Sequence, residues 1–156
     1  MYELNRTQFI QHSINKVFLF FSKPENLEKI TPPNLNFSII TPTPIEMKRG
    51  LLIDYKVRIK GIPIRWRSLI SSYKPPYSFT DQQIWGPYST WIHNHTFEEK
   101  DGGTLVTDHI KYQIPFGLIG RIAHFIFVEK DLKKIFNYRE KTISSIFNNS
   151  LDKLND

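Results

Sequence analysis

A chain of 156 residues, 40% hydrophobic and 14% aromatic, is long enough to bury a core and is expected to form a single domain over residues 1–156. It has no cysteine, which excludes a disulfide framework or a thiolate metal site and suits a reducing compartment. The formal charge of +6 is spread over residues 48–74 and 121–141 rather than gathered in one block, so a solvated basic surface is expected and no nucleic-acid partner.

The opening residues lack a basic segment followed by an apolar one, so no secretory signal is expected. The longest apolar run, Ile122–Val128, is broken by His124 and falls far short of the roughly 20 residues of a membrane span. A soluble, cytoplasmic protein with no transmembrane segment is expected.

Leu4–Ile10 reads as a first strand with Phe9 in the core. Ser13 or Asn15 caps a short helix over Lys16–Ser22, striped by Val17, Phe18, Phe20 and Phe21. Pro24 opens a second short helix that stops before Thr31-Pro32-Pro33. Leu35–Thr41 alternates as a strand. Ile53, Tyr55, Val57 and Ile59 then alternate with Asp54, Lys56, Arg58 and Lys60, as expected of an antiparallel sheet with one solvated face.

Lys60-Gly61 makes a tight turn that sets Ile59 opposite Ile62, and Ile64, Trp66, Ser68 and Ile70 continue the inner face. Pro75-Pro76, Gly86-Pro87 and Asp101-Gly102 separate three further strands, Tyr77–Trp85, Tyr88–Glu99 and Thr104–Ile114. Leu118–Val128 is apolar and loosely helical. A long amphipathic helix ends the chain, striped by Leu132, Ile135, Phe136, Arg139, Ile143, Ile146, Phe147 and Leu151. The expected class is α+β, with a seven-stranded antiparallel sheet (β-α-α-β6-α) curved around that helix.

The unusual stretch is Phe79–Phe97, which holds two of the three tryptophans and two of the five histidines. With Asp101-Gly102 as a two-residue turn, Phe97 faces Val106, His95 faces Asp108, His93 faces Ile110 and Trp91 faces Tyr112. The opposite face, with Asn94, Thr96, Thr107 and Lys111, is more polar, so Trp91, His93, His95 and Phe97 are expected inside. Two imidazoles and a carboxylate in a core need partners, since an unpaired buried polar group costs about 1–3 kcal/mol. Two outcomes are open. A His95–Asp108 bond, joined by Asp81 and Gln83, satisfies a closed network, or the cluster forms the polar end of a ligand pocket.

His-x-His beside an aspartate also suits zinc or iron, but no third ligand is fixed by spacing, so neither a metal nor a cofactor is expected. Acid–base catalysis by His93, His95 and Asp108 is a second possibility, because a carboxylate partner tunes an imidazole toward neutral pH. There is no phosphate-binding glycine loop, no Gly-x-Ser-x-Gly elbow and no cysteine nucleophile.

Three motifs carry a resemblance. They are Phe79, Asp81, Gln83; Gly86, Pro87, Tyr88, Trp91, His93, His95, Phe97; and Asp108, Tyr112, Pro115, Gly117. Asn26-Leu27, Thr31-Pro32, Trp66 and the Phe136–Arg139 segment also match. With the element order, these resemble the START-like (SRPBCC, helix-grip) superfamily of polyketide cyclases and birch pollen allergen relatives, and within it a bacterial ligand-binding subfamily.

The resemblance implies a cavity for a hydrophobic small molecule or lipid between the sheet and the last helix. The candidate ligand-binding residues are Tyr55, Trp66, Phe79, Asp81, Gln83, Trp91, His93, His95, Asp108, Tyr112 and Phe136, with an entrance near Leu118–Phe127. The expected function is binding of an apolar or aromatic molecule. The alternatives are a cyclase or dehydratase and a membrane-surface module.

Overall fold

The structure, a computed structural model, describes residues 1–152, with side chains to residue 149. Strand β1 (Tyr2–Ile10) leads into helix α1 (Ile14–Phe21) and two 3₁₀ turns, Pro24–Glu28 and Pro33–Leu35. Six strands follow: β2 (Ser38–Ile39), β3 (Leu52–Ile59), β4 (Ile62–Lys74), β5 (Ser78–Trp85), β6 (Thr90–Lys100) and β7 (Gly103–Gln113). Helix α2 (Gly117–Ala123) runs through a π turn, His124–Val128, into the long helix α3 (Glu129–Asp152).

The strands form one sheet in the order β1-β7-β6-β5-β4-β3-β2, every neighbour antiparallel. Lys60-Gly61 and Asp101-Gly102 have positive φ at both residues, the backbone that a right-twisted two-residue hairpin requires. These turns set the register. Ile59 opposes Ile62, and the Trp91–Tyr112, His93–Ile110, His95–Asp108 and Phe97–Val106 pairs form as the hairpin arithmetic demands. Two register shifts in the β4–β5 pair, at Arg67/Ser68 and Ile70/Ser72, bend the sheet where it must curl.

Three local expectations are corrected. Phe9 is 47% exposed; the inner face of β1 is the even-numbered one that ends at Ile10, so Phe9 lies outside, above Gly103. Leu35–Thr41 is strand only at Ser38–Ile39, because the Pro33–Leu35 turn ends on Asn36 in the left-handed region. The helix expected after Pro24 is a single 3₁₀ turn. Leu151 lies outside the described side chains.

The core has two apolar clusters. One joins Ile10, Ile14, Val17, Phe18, Phe79, Phe97, Val106, Ile143 and Phe147. The other joins Trp66, Trp91, Ile110, Tyr112, Leu132 and Phe136. Along β6 the order is Trp91, His93, His95, Phe97; along β7 it is Val106, Asp108, Ile110; along α3 it is Phe136, Arg139, Ile143. A polar belt of His93, His95, Asp108 and Arg139 therefore crosses the interior between the clusters. The clusters hold the fold, each fully buried Ile or Phe contributing about 1.5–3 kcal/mol, and the belt is the part that burial alone does not explain.

Candidate functional site

Where the curled sheet and α3 diverge, they enclose a cavity of about 550 Å3, within the range of small-molecule sites. Its walls are mostly apolar: Ile53, Tyr55, Val57 and Trp66 from β3 and β4, Trp91 from β6, and Leu132, Ile135 and Phe136 from α3. Strand alternation supplies the first group and the i, i+3, i+4 stripe of α3 the last.

Its polar floor is the central belt. Asp81, His93, His95 and Arg139 all line the cavity. Asp81 reaches the belt from β5, whose pairing sets Asp81 opposite His93 and Phe79 opposite His95. His93 Nε2–H donates to Asp108 Oδ1 at 2.9 Å, and His95 Nε2–H donates to Asp81 Oδ2 at 3.1 Å. His95 Nδ1 also lies 2.8 Å from Asp108 Oδ1, off the angle of a hydrogen bond. The imidazoles lie 3.7 Å apart between centroids, and Phe79 stacks on His95 at 4.2 Å.

The charges follow from this geometry. Burial pushes the Asp108 carboxyl up, but the hydrogen bond from His93 and the close contact with His95 outweigh it and hold the group well below the carboxylate range. Burial acts the same way on Asp81, and the His95 bond again wins, so it too is lowered. Burial presses His95 down, yet the close contact with Asp108 and the bond to Asp81 raise it on balance. His93 is lowered, by burial first and then by the charge of His95.

Arg139 is different. Burial depresses it, against the attraction of Asp108 and Asp81. Its Nε is buried with no hydrogen-bond partner among the described residues, and its guanidinium lies 4.8 Å from the centre of the Phe136 ring. Arg139 lines the cavity. Sequence reasoning placed Arg139 in the apolar stripe of the last helix without making it a site residue. A cation in phase with apolar neighbours was the signal.

The expected site residues divide. Tyr55, Trp66, Phe79, Asp81, Trp91, His93, His95 and Phe136 line the cavity. Tyr55 and Trp66 also share the buried Ser68 hydroxyl, at 3.0 and 3.2 Å. Asp108 sits behind the histidines and orients them. Gln83 lies off the cavity: its amide clamps both the N–H and the C=O of Tyr88, and a side chain at Gly86 would strike it at 2.5 Å. Tyr112 also lies off the cavity, sharing a 2.8 Å hydrogen bond with His124.

The entrance is not where the apolar run suggested. Of Leu118–Val128 only Val128 reaches the cavity. Gly120, tight against the Pro115 carbonyl, and His124, stacked on Tyr2 at 3.4 Å, form the inner face of this segment. Leu118, Ile119 and Phe125 consequently point outward, at 70–80% exposure. The exposed lining residues are instead Asn34, Arg58, Lys60, Gly61 and Lys134. They place the mouth among the Pro33–Leu35 turn, the β3–β4 turn and the start of α3, and Lys60 Nζ meets Asp131 Oδ2 there at 2.7 Å.

No protein-family model matches the chain, and no curated protein does. Solved structures do. The chain is similar to CV1439 from Chromobacterium violaceum, at 11% identity and a TM-score of 0.72 over 94% of this chain and 98% of that one. It is similar to Ms6760 from Mycobacterium smegmatis, at 16% identity and a TM-score of 0.69 over 95% and 92%. It is similar as well to major latex-like protein 151 from Panax ginseng, at 15% identity and a TM-score of 0.64 over 94% and 97%. The fold is the helix-grip fold. At these identities the likeness is one of architecture. No helix among the described residues is long and apolar enough to cross a membrane.

Proposed function

We propose that this protein, acting as one domain in the cytoplasm, binds a small apolar or aromatic molecule whose single polar group accepts hydrogen bonds. The observation that carries the reading is Arg139: a guanidinium in a largely apolar cavity, with a buried Nε that nothing among the described residues accepts from. Leaving such a donor unpaired is costly, and a carbonyl or carboxylate on a ligand removes that cost. The aromatic walls of Tyr55, Trp66 and Trp91 suit a planar body. The resemblance to bacterial START-like ligand-binding proteins points the same way, as does the helix-grip architecture.

Binding is favoured over acid–base turnover because three of the four imidazole nitrogens of His93 and His95 already face carboxylates within 3.1 Å. Two measurements test the reading: native mass spectrometry of the protein isolated from its own host, and titration with an apolar fluorophore followed by quenching of the tryptophans. A co-purifying molecule and saturable quenching are expected. A chain that carries no adduct and takes up no probe overturns the proposal.

A further inference from the structure

Three side chains on the cavity floor converge in a way that a closed hydrogen-bond network does not require. Asp81 Oδ2 lies 3.1 Å from His95 Nε2 and 3.7 Å from His93 Nδ1, and one ligand atom from each residue lies within 4.8 Å of the others. Donors about 2.0–2.1 Å from a tetrahedral ion stand about 3.3–3.4 Å apart, so the two Asp81 contacts are near that spacing and the widest pair of the set must close by at most about 1.4 Å.

The remaining nitrogens strengthen the case. His93 turns Nε2 and His95 turns Nδ1 to the same oxygen, Asp108 Oδ1, at 2.9 and 2.8 Å. Each imidazole thus has one nitrogen against Asp108 and the other toward Asp81. A carboxylate behind a ligating histidine fixes its tautomer and ring orientation, and here one carboxylate serves both rings. With Nε2–H of His93 held by Asp108, the lone pair of Nδ1 is directed away from it, and His93 lines the cavity.

Charge agrees. With both imidazoles neutral, as ligation requires, the belt sets two carboxylates, Asp81 and Asp108, against one guanidinium, Arg139, and a divalent cation takes up the remaining negative charge. Two imidazoles and one carboxylate select a transition ion over magnesium or calcium, which prefer oxygen alone. We propose that Asp81, His93 and His95 form a binding site for a zinc-class divalent transition-metal ion, with Asp108 positioning both histidines and the cavity supplying the open coordination position. In the metal-free chain the proton between His95 Nε2 and Asp81 Oδ2 occupies the place of the ion, and binding releases it to solvent.

This inference is independent of the ligand reading above, and the experiment separates the two. The full chain, stripped with a chelator, is titrated with Zn2+ alone by calorimetry and with Co2+ alone by visible absorption. One ion per chain is expected, with the absorption of a low-symmetry nitrogen–oxygen site. Asp81→Asn and His93→Gln are expected to weaken binding at least about 100-fold, Asp108→Asn about 10–100-fold, and His109→Ala, at a half-buried histidine on the outer face of β7 paired with Glu3, not at all.

Should the core variants fail to fold, the histidine NMR signals of the unmodified chain decide: Zn2+ must shift His93 and His95 and leave His12, His109 and His124 in place. No saturable binding, binding that survives His93→Gln, or shifts confined to the other histidines each overturn the metal site. A chain that binds an apolar probe but no ion loses this inference and keeps the earlier one.

Discussion

His93 Nε2 donates to Asp108 Oδ1 at 2.9 Å along a diagonal of the β6–β7 pair, since the residue directly opposite Asp108 is His95. The direct neighbour comes as close, 2.8 Å, at a poorer angle, so one carboxylate holds two rings. Removing it should be felt at once. Asp108→Asn is expected to cost about 3 kcal/mol, the loss typical of breaking a buried ionic contact on one side.

The pH dependence of that loss follows from two opposed shifts. The Asp108 carboxyl is lowered in the folded state, so its contribution is present above the ordinary carboxylate value of 3.8 and is lost as pH falls through the folded value. His95 is raised, so its contribution is present below the ordinary 6.5 and is lost as pH rises through the folded value. The stability gap between the parent chain and Asp108→Asn should therefore be widest between about pH 4 and 6.5 and narrow on both sides. Urea unfolding across that range checks it; a gap independent of pH counts against the coupling.

Much of this was legible in the sequence, for identifiable reasons. Period-two alternation in β3, β4, β6 and β7, with two glycine-bearing turns, fixes the register, and register alone brings His95 against Asp108 and sends both histidines inward. What could not be read is what depends on curvature. The His93–Asp108 diagonal and the approach of Arg139 from α3 both need the sheet to be coiled around the helix, whereas Asp81 is expected beside the histidines and arrives there from β5. The apolar run at Leu118–Val128 misled because apolar character says what a segment could cover and not which way it faces. That direction is set by Gly120 and His124.

Arg139→Met is expected to separate function from stability. The variant loses an unpaired buried donor but also the charge that offsets Asp81 and Asp108, so its stability should stay within about 1 kcal/mol of the parent. Affinity for an apolar probe bearing a carbonyl or carboxylate should fall at least about tenfold, the loss of one charge-assisted hydrogen bond. A matched probe without an acceptor should bind unchanged. Fluorescence titration of the two probes measures the contrast, and equal losses for both would reduce Arg139 to a packing residue.

The two regions of the interior should respond differently to truncation. Ile143 is 1% exposed in the filled cluster against α1, and Ile143→Ala is expected to cost about 2–5 kcal/mol because it opens a new void. Ile135 borders a space that is already open, so Ile135→Ala should cost about 1–2 kcal/mol, the transfer term without a new cavity. Thermal and urea unfolding compare them. Ile135→Ala should alter probe affinity and Ile143→Ala should not.

The last prediction concerns the mouth. Lys60, in the β3–β4 turn, meets Asp131, near the start of α3, at 2.7 Å, and its ammonium also lies 5.5 Å from the Phe127 ring. The pair is half-exposed, a setting in which an ion pair contributes about 0–1 kcal/mol, so it matters little to stability. It does tie together two of the elements that flank the exposed end of the cavity. Lys60→Ala and Asp131→Ala should therefore raise the association and dissociation rates of an apolar probe together, by a similar factor, and leave its equilibrium affinity nearly unchanged. High salt should reproduce the effect in the parent chain and have little effect in the variants, because an exposed pair is screened. Stopped-flow fluorescence resolves the two rates. Variants that change affinity with no change in rates would place Lys60 and Asp131 in the binding surface rather than across its entrance.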